Sequence, residues 1–250
     1  MTGWQSVLKR HMLVFHRTWW ANLVFNFCEP LLYLGAFGLG LGILIGDIDG
    51  RPYVRFIAPG MVASAAMWAA TFECTYATFL RLNYEKAFEA MLAAPLSVAD
   101  IVAGEIVFGM FKSVLFGTTI LAVIAAWGLV DSWRALFIPL VLVLPGGVFA
   151  CLALVYTSII PHIDYLNYYI TLIITPLYLL AGIFFPVSAL PGWAQAANWL
   201  NPLFHTVEVC RALVEGKLSA DFFWHLGCLA IMLLVAAMPL NRLFRRRLVF

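Results

Sequence analysis

Six stretches of this chain are long and apolar enough to cross a membrane, and nothing else in the sequence constrains the fold as strongly. They cover about Trp19–Ile45, Phe56–Leu80, Ile101–Val130, Ala135–Ile160, Asn167–Phe185 and Asp221–Leu240. A spanning helix needs about 20 mostly apolar residues to cross roughly 30 Å of hydrocarbon. The 250 residues are 64% hydrophobic and 11% charged, too little polar surface to wrap a soluble core. The expected fold class is therefore all-α: a polytopic membrane protein with six transmembrane helices. Residues 1–250 form one domain, because little chain is left outside the spans to build a second.

The distribution of charge sets an orientation. With a cytoplasmic N-terminus, six crossings return the C-terminus to the cytoplasm. The inside segments then carry Lys9, Arg10, Arg17, Arg81, Lys86, Arg242, Arg245, Arg246 and Arg247. The outside segments carry only Arg51, Arg55, Arg134, Arg211 and Lys217. That bias favours both termini inside. A net charge of +2 is too small to draw a nucleic-acid partner. The N-terminus has basic residues but no apolar run followed by a small-residue cleavage site, so a removable signal peptide is not expected. The five cysteines form no CxxC pair and read as packing residues.

Three segments outside the spans have helical patterning. In residues 4–18, Trp4, Leu8, Met12 and Phe15 recur at helical spacing among basic residues, which predicts an amphipathic helix on the membrane surface. After the second span, Tyr84, Phe88, Met91 and Leu92 fall at i, i+4, i+7 and i+8, with Glu85, Lys86 and Glu89 on other faces and Pro95 closing the pattern. That spacing predicts a helix of about three turns over 84–94, either a docking helix for a cytoplasmic partner or a solvated linker. The external segment 186–220 is too apolar for a plain loop. Residues 193–200 have helical spacing, and Leu203, Val207, Cys210 and Val214 share a face further on. Two short helices are expected there, re-entrant or lying flat on the outer surface.

Enzyme chemistry is not evident. The sequence has no HExxH or GxSxG motif, and His162, His205 and His225 are far apart in sequence. The glycine-rich run Gly35–Gly42 lacks the lysine and hydroxyl residue of a phosphate loop, and Gly38 and Gly42 fit close helix packing instead. No nucleotide-binding motif is present, so ATP and Mg would have to be bound by another subunit. The chain itself is expected to carry no cofactor or metal and no catalytic residue.

Ionisable groups within spans are the stronger lead, because each is costly in hydrocarbon unless paired or hydrated. Glu29 precedes Pro30 in the first span, Glu73 lies in the second, and Glu105 and Lys112 stand two turns apart on the third. Lys112 is expected to pair with an acid on a neighbouring helix, as a structural bridge or as part of a path. Together the four could also form a proton relay. Pro145-Gly146-Gly147 and Pro176 interrupt the fourth and fifth spans, as hinges or as fixed kinks.

One stretch carries a family resemblance. Residues 72–128, and above all EAMLAAPLSVADIVAGE at 89–105, resemble the central segment of ABC type-2 transporter permeases, in particular the nodulation protein J branch, which exports lipo-chitooligosaccharides. The resemblance implies two permease copies working with two cytoplasmic ATPase subunits in a bacterial inner membrane. Residues 4–18 would be a connecting helix beside the ATPase. Residues 84–94 would be the coupling helix, with Tyr84, Glu85, Phe88, Glu89, Met91 and Leu92 at the ATPase contact. The external helices of 186–220 would help close an outer gate. The cargo implied is an amphiphile such as a lipid-linked oligosaccharide or glycolipid, and Tyr168, Tyr169 and Tyr178 are candidate aromatics facing it. A drug-efflux permease, a proton-coupled secondary transporter and a lipid-acting membrane enzyme are the competing readings.

Overall fold

The computed structural model describes residues 3–48 and 50–248, without the side chains of residues 21–23, 25–27, 29, 30, 39 and 41. Helix α1 (Gly3–Tyr33) passes through a π-helical stretch, Leu34–Leu41, into α2 (Gly42–Ile45). No glycine or proline stands between Gly3 and Pro30, so nothing stops the helix where the surface segment was expected to give way to the first span. The two are continuous. Within residues 4–18, Val7 and His11 are buried and α1 packs along α6.

A two-residue antiparallel ribbon, β1 (Asp47–Ile48) with β2 (Arg51–Pro52), leads into α3 (Tyr53–Phe72). This helix continues through a π turn, Glu73–Ala77, into α4 (Thr78–Asn83), and the short α5 (Ala87–Leu92) follows. The central helix is α6 (Val98–Ala126), in contact with α1, α3 and α8. A 3-10 turn and α7 (Ile138–Val141) precede α8 (Val143–Ile159). Next come α9 (Tyr165–Tyr168), a π turn at Tyr169–Ile174 and α10 (Thr175–Leu180). The segment expected to hold two short external helices forms α11 (Gly192–Asn198) and α12 (Pro202–Glu215). All four residues expected to share a face of α12, Leu203, Val207, Cys210 and Val214, are buried. The chain ends with α13 (Ala220–Ala237) and α14 (Leu240–Leu248).

The protein is all-α apart from the ribbon. Among the described residues, three helical stretches are long and apolar enough to cross a membrane: Val98–Ala126, Trp133–Ile159 and Ala220–Leu248. Two shorter apolar stretches are Leu31–Ile45 and Tyr165–Leu180.

Local sequence explains the start of α6. Ser97 and Asp100 form a capping box: the Ser97 hydroxyl accepts from the Asp100 backbone N–H (3.2 Å) and the Asp100 carboxylate accepts from the Ser97 N–H (3.1 Å). Together they satisfy two of the backbone donors left open at a helix start. Asp100 also accepts from the backbone N–H of Trp4, so one carboxylate serves the first turns of both α1 and α6. Gly104, one turn on, makes the crossing possible: a Cβ there would lie 2.5 Å from a Val7 methyl. The proline-glycine interruption of the fourth span is likewise a packing device, because a Cβ on Gly146 would strike Ser113 of α6 at 2.6 Å.

Replacing Gly104 with valine should push α1 away from α6. Overpacking of this kind costs about 1–3 kcal/mol, and the thermal unfolding temperature of the purified protein should fall accordingly. Adding Val7→Ala should recover part of the loss. Unchanged unfolding in Gly104→Val would show that α1 does not dock on α6 at this point.

Candidate functional site

Five ionisable side chains meet where α1, the α3–α4 helix and α6 converge. Glu73 receives Arg81 at 2.7 Å on one carboxylate oxygen and the Lys112 ammonium at 2.6 Å on the other. Arg81 extends its second nitrogen to Glu105 at 2.6 Å. The Thr78 hydroxyl donates to the same Glu105 oxygen (2.8 Å) and accepts from Arg81 (3.1 Å). His11 brings its Nε2 within 3.0 Å of the other Glu105 oxygen. Glu73, Glu105 and His11 are almost wholly buried, and Arg81 and Lys112 nearly so.

Two carboxylates, Glu73 and Glu105, face two cations, Arg81 and Lys112, so these four charges cancel. That balance is what makes it tolerable, because an isolated charge withdrawn from water costs several kcal/mol. Lys112 also lies over the rings of Phe15 (5.6 Å) and Phe108 (5.7 Å), and His11 stacks on Phe108 at 5.0 Å. The π turn at Glu73–Ala77 helps to aim these groups. Such turns shift the register of the residues that follow. Here Glu73, at the start of the π turn, and Arg81, in the last turn of α4, converge on one carboxylate–guanidinium contact. A cavity of about 240 Å³ adjoins the cluster and reaches Arg10 and Glu85 at its rim.

Three of the four expected intramembrane charges therefore meet in one place, while the Glu29 side chain lies outside the described residues. Lys112 does pair with an acid on a neighbouring helix. Glu105, two turns away on the same helix, instead takes Arg81 and His11. Both of these were assigned by pattern to segments outside the spans.

The stretch expected to be a three-turn helix over 84–94 is shorter. Lys86 has φ +50°, a left-handed conformation that separates α4 from α5, so Tyr84 and Glu85 lie in the turn and α5 has six residues. Tyr84, Glu85 and Glu89 are exposed and Leu92 is half-buried. Phe88 and Met91 are buried within this chain: Phe88 packs on Phe244 of α14 at 6.1 Å. Phe88 supports α5 from beneath, while Met91 lines a groove between α1 and α5. Arg247 of α14 adds hydrogen bonds to the Thr157 carbonyl (2.6 Å) and to Asn83 (3.0 Å). On the other side, Arg10 of α1 lies 3.8 Å from Glu85. The residues around α5 are thus braced from both ends of the chain.

Of the three candidate tyrosines only Tyr168 is exposed. Tyr169 is buried and stacks on Tyr156 at 4.8 Å, while Tyr178 is buried against Phe184 and Trp68. Sequence reasoning also separated His205 from His225, which the fold brings together with their Nδ1 atoms 2.7 Å apart. Among the described residues no group of His, Cys, Asp and Glu is arranged to hold a metal ion. The five cysteines are free thiols, three of them buried.

The charge cluster lies beside a short braced helix in an all-α chain with helices apolar enough to cross a membrane. Residues 2–214 match the ABC-2 type transporter family model. The chain belongs to the ABC-2 type transporter family. It is 37% identical to nodulation protein J of Rhizobium meliloti (strain 1021) over 246 residues, covering 98% of this chain and 94% of that protein. It is 39% identical to nodulation protein J of Rhizobium leguminosarum bv. viciae, covering 98% and 95%. The inner membrane transport permease YadH of Escherichia coli (strain K12) is 27% identical over 83% of this chain and 80% of its own length.

Arg81 touches both acids, so its loss should be the most damaging in the cluster. Arg81→Met leaves two buried carboxylates to one lysine, and breaking a buried pair this way costs about 3–5 kcal/mol. Lys112→Met should cost less, since Glu73 keeps Arg81. Thermal unfolding of the purified variants measures the order, and equal losses would show that the cluster is not organised on Arg81.

Proposed function

We propose that this chain is the permease subunit of an ATP-driven exporter in a bacterial inner membrane. It works as two copies with two cytoplasmic ATPase subunits that bind ATP and Mg, and the chain contributes no ATP chemistry of its own. Six crossings with both termini cytoplasmic fit the segments: the three long apolar stretches, the end of α1 with α2, the α3–α4 helix and α9–α10. The proposed cargo is an amphiphile, a lipid-linked oligosaccharide or related glycolipid. A hydrophobic drug is the competing cargo for the same machine.

The observation that carries this reading is the link between α5 and the charge cluster. Arg81 lies only a few residues before α5, and its guanidinium grips Glu105 of the central helix. A push on α5 by an ATPase would therefore be felt in α6 through a short, charged, nearly incompressible connection. Exposed Tyr84, Glu85 and Glu89 offer the contact surface for the ATPase, with Phe88 and Met91 as its rigid backing. A groove of about 310 Å³ between α1 and α5, lined by Val7, Ala87, Ala90 and Met91, offers a seat for an apolar side chain of the partner. The paired state of Glu73, Glu105 and Lys112 favours this reading over a proton relay, which needs groups free to exchange protons.

Purification in mild detergent from the native membrane should bring down a P-loop ATPase in stoichiometric amount. Charge reversal at both Glu85 and Glu89 should weaken that association at least about tenfold, or ~1.4 kcal/mol. The unfolding temperature should stay within about 3 °C, because both side chains are exposed. A chain that purifies alone, or transports under a proton gradient without ATP, would overturn the assignment.

A further inference from the structure

At the end of α6 remote from α5, a groove of about 380 Å³ runs between α12 and the first turns of α13. Glu208, Arg211 and Glu215 line one side from a single face of α12, Asp221 and His225 line the other, and Trp199 stands at the mouth. Every charge in the groove is answered nearby. Arg211 holds Glu208 at 2.5 Å, Glu215 is held by Arg51 at 2.8 Å and by Lys217 at 3.7 Å, and Asp221 accepts the Ser219 hydroxyl at 3.3 Å. Counting Arg51, three carboxylates stand against three cations. The groove has no excess charge with which to hold a phosphate or an ammonium group. It does have hydrogen-bond donors and acceptors side by side, the arrangement that neighbouring hydroxyl groups require, since each hydroxyl both donates and accepts.

The aromatic wall points the same way. Trp199 is half exposed, yet its ring is held nearly parallel to His225 (5.9 Å, 11°) and edge-on to Phe204 (6.0 Å). The Trp199 carbonyl accepts from His205 Nε2 (3.0 Å), so His205 presents a bare Nδ1 to the Nδ1–H of His225. Burial holds His205 below the usual imidazole range, which keeps that neutral tautomer. The indole is therefore a fixed platform rather than a swinging anchor. Fixed aromatic faces beside paired polar groups suit sugar rings, whose C–H faces stack on the ring while their hydroxyls reach the polar wall.

We propose that this groove binds a neutral, hydroxyl-rich headgroup, a mono- or disaccharide unit of the transported amphiphile. The proposal rests on the export function above and assigns the sugar end of the cargo to α11–α13. Trp199 supplies the stacking face, Asp221 and Glu208 accept from hydroxyls, and Arg211 donates.

The test uses the permease–ATPase complex in phosphatidylcholine nanodiscs prepared with a sugar-free detergent. Saturation-transfer NMR with cellobiose, maltose and diacetylchitobiose should give a saturable signal for at least one of them. Trp199→Leu and Asp221→Asn should each weaken that binding at least about fivefold. Trp20→Leu, at an exposed aromatic of α1 outside the groove, should leave it unchanged. No saturable signal for any of the three sugars, or equal binding in both groove variants, would overturn the site. Displacement of the sugar when phosphatidylglycerol replaces phosphatidylcholine would assign the groove to resident lipid headgroups and overturn its role in cargo binding. Retention of the ATPase is scored on the same samples. A complex that keeps its ATPase but binds no sugar sinks the groove alone, whereas loss of the ATPase from the unmutated protein sinks the exporter reading.

Discussion

Arg81 holds two carboxylates at once, and much of the protein's arrangement follows from where those carboxylates come from. Glu73 belongs to the α3–α4 helix and Glu105 to α6, so the guanidinium fastens the second long helix to the third. His11 brings α1 to the same point, and Lys112 completes the neutralisation. Within a low-dielectric interior such a cluster has few acceptable arrangements, because any group that leaves strands a charge. A planar guanidinium suits the central place better than an ammonium would, since its fork can address two acids in fixed directions. The three helices are therefore constrained to move together or to exchange one complete pairing for another.

How much of this could be read from the sequence depended on whether the signal was local. The start of α6 lies three residues before the expected Ile101, set by the Ser97–Asp100 box, which the apolar pattern does not register, whereas the buried face of α12 was legible because Leu203, Val207, Cys210 and Val214 repeat with the helix. Lys112 announced its need for an acid simply by its depth. Arg81 did not. It falls just past the apolar run ending at Leu80, and nothing in the one-dimensional pattern reveals that the helix continues to Asn83 and turns the guanidinium inward. His11 was hidden by its basic neighbours Lys9, Arg10 and Arg17. Phe88 illustrates a different limit. Helical spacing of apolar residues says that a face is covered, but not by what, and here the cover is Phe244 from more than a hundred residues away.

The arginines that run against the inside bias have a physical explanation too. Arg51 reaches Glu215, Arg55 reaches Asp131 and the Gly128 carbonyl (3.1 Å), Arg134 reaches the Gly216 carbonyl (2.5 Å), and Arg211 reaches the Gly182 carbonyl (3.0 Å). Each joins two segments distant in sequence at the end of the bundle remote from α5. Counted as charges, these residues weaken an orientation argument. As donors they are fasteners, satisfying carbonyls that turns and helix ends leave open.

The two ends of the bundle are thus held by different means, and the difference bears on motion. Around α5 the links are buried ion pairs with a neutral total, short and hard to deform. At the far end most are half-exposed arginine contacts to loop carbonyls and surface carboxylates, individually weak and screened by solvent. Under the proposed function, a displacement entering at α5 would be passed along α6, and the bonds that yield first would lie where α12 meets the loops. Asn198 and Asn201 tie α11 and the start of α12 to the carbonyls of Leu180 and Leu177 on α10, so yielding there would carry α11 and α12 together. Stiffness at one end and separable contacts at the other is the arrangement the proposed export function would require, with α5 as the point of input and the contacts of α11 and α12 as the part that yields.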